Sequence, residues 1–198
     1  DYGIKVTGNV IVGKLSSSYR EYIVMKSVPL KNLISVANKY SSNSYSEQIL
    51  RTVGLRVYGF GSIYNSQKVL NDFVKRLFGE YYPFKLNDAC GLSTYNLLTP
   101  YMLAQTLAYA YKNYDGFNGF ISTLAVSGKE GTMEGRLKDI TAYAKTGTLQ
   151  KVSNIAGIMI TKTGKRVAFC IMVNNFITPT YIVTAYHDEI IRYVWNNY

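Results

Sequence analysis

The chain has 198 residues, 47% of them apolar, with 22 basic against 12 acidic side chains and so a formal charge of +10. That length bounds it to one domain with at most a small appendage, and the apolar content excludes a disordered or fibrous chain. No apolar run reaches the roughly 18 residues of a membrane-spanning helix, and the positive surplus predicts a surface that attracts anions such as nucleic acid, anionic lipid or cell-wall polymer.

In chain order, "GNVIVGKL" and "EYIVMKS" read as two short strands separated by Ser16-Ser17-Ser18. From Leu30 to Tyr40, the residues Leu30, Leu33, Ile34 and Ala37 recur at helical spacing. A second helix is expected from Ser44, with Ile49, Leu50 and Val53 inward and Gly54 ending it; Ser44 and Glu47 have the S-x-x-E spacing of a capping box. A third covers roughly 66–78, a short strand follows Pro83, and the loop "NDACGLSTYN" leads to a helix starting near Pro100.

The period then changes. "TAYAKTGTL" reads as a strand near an edge, while "IAGIMIT" and "RVAFCIMV", joined through Lys162-Thr163-Gly164-Lys165, read as a β-hairpin. Finally "YIVTAYHDEIIRYVWNN" places Ile182, Tyr186, Ile190 and Val194 on one helical stripe to pack on the sheet. The expected fold class is α+β, an antiparallel sheet flanked by helices.

Cys90 and Cys170 are too few for a disulfide scaffold and lack metal-like spacing; Cys170, inside an apolar run, reads as a buried small hydrophobe. The sole histidine, His187, argues against a His-ligated metal site or a Ser-His-Asp triad. No metal and no cofactor are therefore expected, and any hydrolase built from this chain must find its base elsewhere. The basic residues are scattered, with pairs such as Lys75-Arg76 and Lys165-Arg166 but no long run, and no nucleic-acid partner is expected. Nineteen tyrosines, including Tyr81-Tyr82 and the group Tyr109, Tyr111 and Tyr114, could stack on sugars or bases, but Tyr is equally at home on half-buried structural faces.

Lys-Thr-Gly occurs twice, at Lys145-Thr146-Gly147 and Lys162-Thr163-Gly164. The second is explained by hairpin chemistry, since Gly164 supplies the positive φ of a tight turn. The first lies inside a strand, where a Gly marks a bulge or a close approach by a ligand or another backbone. With Thr148 it sets a cation and two hydroxyls beside a reachable backbone, an arrangement suited to a carboxylate. Ser41-Ser42-Asn43 is the only Ser-x-Asn in the chain and falls in the break between two helices.

Ser-x-Asn and Lys-Thr-Gly resemble two of the three motifs of penicillin-binding proteins and serine β-lactamases. The surrounding text is similar to the class C low-molecular-mass penicillin-binding proteins, the D-alanyl-D-alanine carboxypeptidase/endopeptidases. The segments that carry the likeness are "LISVANKYSSNSYSEQILRTVG", "NDACGLSTYNLLTPYMLAQTL" and "GKEGTMEGRLK…AYAKTGTLQKVSNIAGIMI". Two positions depart from that pattern: Cys90 stands where the family usually has Ser, and Ala89 where it has Gly. The third motif, Ser-x-x-Lys, is missing, because no Lys here follows a Ser by three positions.

The resemblance implies a penicillin-binding, β-lactamase-like transpeptidase fold and acyl transfer from D-Ala-D-Ala to a serine supplied from outside this chain. Residues 1–28 are then expected to be the tail of an inserted domain and a connector, and 29–198 the C-terminal part of a DD-peptidase domain, inactive alone. Ser41 would relay a proton to the departing amine, Asn43 would hold a side-chain amide of the substrate, and Lys145 would set the local positive potential. Thr146, Gly147 and Thr148 would line the substrate, with the Thr148 N–H as an oxyanion donor. Implied partners are peptidoglycan stem peptides, β-lactams, and either the missing N-terminal segment or a self-association partner, on the periplasmic or other extracytoplasmic side. A competing reading is a non-catalytic wall-binding protein of the same fold, favoured by the missing Ser-x-x-Lys and opposed by the two motifs that remain. Glu130 and Glu134 stay open as deacylation carboxylates of a β-lactamase.

Overall fold

Two runs rich in β-branched residues pair as a hairpin at one side of the sheet. In the computed structural model, which describes residues 3, 5, 7–9, 11–14, 16–18, 20 and 23–198, they are β3 (Val152–Ile160) and β4 (Arg166–Asn174). Gly164, at φ 84°, makes the turn between them as expected, its N–H donating to the Thr161 carbonyl. β2 (Ala142–Leu149) lies antiparallel on β3, and the two-residue β1 (Ala125–Val126) on β2, giving the order β1-β2-β3-β4.

Alternation gives the sheet two apolar faces. Ala142, Ala144, Ile155 and Met159 point to one side and bury Ile191 of the C-terminal helix α5 (Thr180–Asn197) together with Met133, Leu137 and Ile140. Tyr143, Ala156 and Ile158 point to the other, against Leu107 and Ala110 of α4 (Pro100–Asn113) and the 3₁₀ turn Phe120–Thr123. Helix, sheet and helix are thus layered, the α+β arrangement expected. Three further helices, α1 (Leu30–Lys39), α2 (Asn43–Tyr58) and α3 (Ile63–Phe78), and a second 3₁₀ turn, Gly131–Met133, are the remaining described elements.

Several expectations are corrected. The strands expected over 8–15 and 21–27 fall partly on residues outside the described set. Their described residues, including 11–14 and 23–27, are in no strand, and Ile23, Val24 and Met25 are exposed, with no described strand beside them to complete a ladder. The strand after Pro83 is a single bridge between Lys85 and Leu97. Helix α3 begins at Ile63, three positions ahead of the expected 66, because Ser62 caps it by accepting from the Asn65 N–H at 3.1 Å.

Gly54 does not end α2, which runs on to a left-handed Gly59 at φ 74°. Gly54 is instead buried where α2 meets α3, and a Cβ there would lie 2.4 Å from the Ser66 hydroxyl. The buried stripe of α5 is Val183, His187 and Ile191, one position along from the one expected; Tyr186 is 60% and Ile190 47% exposed. Apolar residues mark both faces of this helix, so local periodicity could not choose between them. Cys170 is half-buried rather than buried, and burial pushes its thiol pKa up to about 11.

Candidate active site

Ser41 sits in the short break between α1 and α2, just past the end of α1, with φ 55°, a left-handed conformation uncommon for a non-glycine residue. Its Oγ accepts a hydrogen bond from Lys145 Nζ at 2.8 Å, bridging 104 positions of sequence. Lys145 also donates to the Thr146 carbonyl. It forms no ion pair among the described residues, and burial holds its pKa below the ordinary lysine value. A half-buried ammonium with no carboxylate beside it has the charge to take an anion. Asn43, the first residue of α2, is exposed on the same junction.

The strand carrying Lys145 has an open edge. β1 pairs only with Tyr143 and Ala144 of β2. Ser127 N–H donates to the Ala142 carbonyl on that side, so the even-numbered residues of β2 turn their backbone groups toward it. The N–H and C=O of Thr146 and Thr148 therefore face an edge that no described strand covers. Side chains alternate, which puts Lys145 and Gly147 on the α4 face and Thr146 and Thr148 on the α5 face. Gly147 pairs in register with Asn154, so there is no bulge, and a Cβ on it would meet nothing within 4 Å. The bulge reading of this glycine is thereby corrected, and no other backbone approaches it among the described residues.

The expected capping box does not form. Helix α2 starts one residue earlier, with Ser42 as its cap, and Glu47 is used elsewhere. Its Oε1 accepts from the backbone N–H groups of Ala89 at 2.8 Å and Cys90 at 3.0 Å. The loop so held is closed by Asp88, which accepts from the N–H groups of Gly91 and Ser93 and from the Asn96 side chain. Glu47, Asp88 and Cys90 bring one possible ligand atom each within 4.8 Å of one another, but both carboxylates are already taken up by backbone donors. The cluster reads as a loop clasp. Partial burial, more than its acidic neighbours, raises the Cys90 thiol.

Glu130 pairs with Lys39 at 2.7 Å. Arg136, from the "GRLK" stretch, grips Asp188 of α5 through Nε at 3.1 Å and a terminal nitrogen at 2.7 Å. Neither the Glu47 clasp nor these pairs had a sequence signal, because each joins residues more than 40 positions apart.

The profile of the D-Ala-D-Ala carboxypeptidase 3 (S13) family matches residues 1–189. The D-alanyl-D-alanine carboxypeptidase DacB of Haemophilus influenzae is 27% identical over 185 residues, covering 89% of this chain and 38% of that protein. The D-alanyl-D-alanine carboxypeptidase of an Actinomadura species is 25% identical over 189 residues, covering 89% of this chain and 35% of the relative. Among solved structures, penicillin-binding protein 4 from H. influenzae in complex with a β-lactam superposes with a TM-score of 0.75 at 25% identity, over 85% of this chain and 42% of that one. The chain thus spans well under half the length of these two curated relatives.

Proposed function

This chain belongs to the D-Ala-D-Ala carboxypeptidase 3 (S13) family, and on that premise we propose that it is the substrate-gripping part of a serine-type D-Ala-D-Ala carboxypeptidase/endopeptidase acting on peptidoglycan stem peptides. The nucleophile and its own lysine come from a Ser-x-x-Lys segment outside residues 1–198. Residues 29–198 then form the C-terminal part of the catalytic domain and 1–28 the connector from an inserted domain. The observation that carries the reading is the 2.8 Å contact between Lys145 Nζ and Ser41 Oγ. It unites the two motifs on one surface beside an open strand edge.

In the reaction, the external serine attacks the carbonyl between the two terminal D-alanines. The C–N bond breaks, and Ser41 passes a proton to the departing amine. Water then resolves the acyl-enzyme. With no histidine in play, the base is the external lysine, kept neutral by the positive potential of Lys145. Lys145 also grips the terminal carboxylate through charge-assisted bonds of roughly 1.5–3 kcal/mol each. The Thr146 and Thr148 hydroxyls approach from the other side of the same edge, and Asn43 holds the substrate's side-chain amide. The Thr148 N–H, directed to the open edge, is one oxyanion donor, an interaction worth about 2.7–4 kcal/mol in the barrier. Gly147 leaves the approach clear.

The substrate sets the location as the extracytoplasmic side. No helix of the described residues is long and apolar enough to cross a membrane. β-Lactams bind as mimics of the same peptide. Exposed Leu55, Val57, Tyr58 and Phe60 around the end of α2 supply apolar surface for the segment that brings the nucleophile, or for a second copy of the chain.

The test is fluorescent-penicillin labelling of the longest native product of this reading frame, with peptide mapping of the adduct. The expected adduct lies on an upstream Ser-x-x-Lys serine and is lost in Lys145→Ala. Retained labelling in that variant would sink the role given to Lys145. No labelling of the folded full-length product would favour the non-catalytic wall-binding reading.

A further inference from the structure

The left-handed backbone of Ser41 needs something to hold it, and three contacts converge on the turn just before it. Asn38 Nδ2 donates to the buried Thr123 Oγ1 at 2.9 Å. The Lys39 side chain, 17% exposed, pairs with Glu130 at 2.7 Å. The Lys39 carbonyl packs so closely on Gly131 that a Cβ there would lie 2.5 Å from the oxygen, and Gly131 itself is left-handed at φ 64°. Thr123, Glu130 and Gly131 flank β1 on either side, and its Ala125 pairs with Ala144, the residue next to Lys145. The end of α1 is therefore referenced to the short strand that pairs with β2 immediately before Lys145.

We propose that the Lys39–Glu130 pair and the Lys39–Gly131 contact form a positioning clamp that sets the Ser41 hydroxyl against Lys145. Glu130 is then a positioning residue and handles no water in deacylation. Only a carboxylate at the right reach holds the ammonium of Lys39, and only a glycine at 131 lets its carbonyl seat. A residue in a sparsely populated conformation persists when its surroundings over-determine it, and these contacts do so within two residues of Ser41. The inference rests on the reading of Ser41 as the proton relay.

The test uses the full-length polypeptide that carries this chain, with acylation by a chromogenic β-lactam followed by stopped flow. It separates the pre-covalent dissociation constant from the first-order acylation rate, expressed per titrated active site so that unfolded material does not enter. Glu130→Gln and Lys39→Met are each expected to slow acylation about tenfold or more, since misplacement of a reacting group by about 1 Å costs on the order of a hundredfold. The dissociation constant should stay within about threefold, because Lys145 keeps its grip on the carboxylate. The double variant should be no slower than the worse single, as expected for partners in one contact. Gly131→Ala should act in the same direction.

Acylation within about twofold of wild type in both single variants, losses that simply multiply in the double, or a Glu130→Gln effect confined to deacylation would each overturn the clamp. Ser41→Ala separates the two levels. A loss there beside unaffected clamp variants sinks the clamp alone, whereas unchanged acylation in Ser41→Ala sinks the relay reading and the clamp with it.

Discussion

The carboxylate of Glu47 and the backbone of Cys90, 43 positions apart, are joined by a hydrogen bond of 3.0 Å, and the same oxygen takes the Ala89 N–H. One side chain in the second turn of α2 thereby ties the loop 88–96 to the helix whose first residue is Asn43. Glu47→Ala should cost about 1–3 kcal/mol, the penalty of part-buried donors left unpaired. The Ala89 and Cys90 amides should lose hydrogen-exchange protection ahead of the sheet. Glu47→Gln, which keeps an acceptor, should cost less. Equal protection of both amides in wild type and Glu47→Ala would remove the clasp from the account.

Gly54 and Gly147 make opposite demands. A Cβ at Gly54 would sit 2.4 Å from Ser66 Oγ and 2.9 Å from its backbone nitrogen, whereas one at Gly147 meets nothing within 4 Å. Gly54→Ala should therefore destabilise by about 1–3 kcal/mol through overpacking, despite alanine's better helix propensity. Gly147→Ala should leave the unfolding midpoint nearly unchanged yet weaken β-lactam acylation of the full-length protein. Urea titration of both variants checks the first contrast; unimpaired acylation of Gly147→Ala would count against ligand approach over that strand.

His187 is buried on α5, and neither ring nitrogen has a hydrogen-bond partner among the described residues. Burial first, then the neighbouring Arg136, lowers its pKa, with Asp188 opposing. A lowered histidine pKa means that the unfolded chain takes up the proton more readily below about pH 6.5. Stability should fall as pH drops through that value and level off beneath the folded-state pKa. His187→Leu should flatten this slope and cost little at neutral pH, since no hydrogen bond is lost. Chemical unfolding at a series of pH values measures it, and a slope that survives the substitution would assign the effect to other groups.

Two ion pairs anchor α5, and they should differ in worth. Arg136 and Asp188 are 18% and 23% exposed, while Arg192 and Asp139 are 43% and 54% exposed. Arg136→Ala strips a half-buried carboxylate of its charge-assisted partner and should cost about 1.5–3 kcal/mol. Arg192→Ala should give no measurable loss, as is usual for solvent-screened pairs. Thermal unfolding at low and moderate salt distinguishes them, with the ranking reversed if surface charge dominates.

Local sequence was enough for whatever depends on neighbours in the chain. The β-branched runs and Gly164 determined the β3–β4 hairpin, Pro100 after Thr99 determined the start of α4, and the alternation through Lys145-Thr146-Gly147 determined a strand. The two motifs, read against a known family, also pointed to Ser41 and Lys145 as companions. Tertiary structure alone decided how particular side chains were spent. Ser44 and Glu47 have the spacing of a capping box, but two backbone donors from a distant loop bind Glu47 instead. Gly54 looks like a helix stop and is a helix–helix contact; the α5 face that buries carries a histidine in place of a tyrosine. The backbone of Ser41 is left-handed without any glycine to announce it. In each case the deciding partner lies at least twelve positions away along the chain. Periodicity and propensity report only on groups a turn or two apart, so such choices are made when the layers pack.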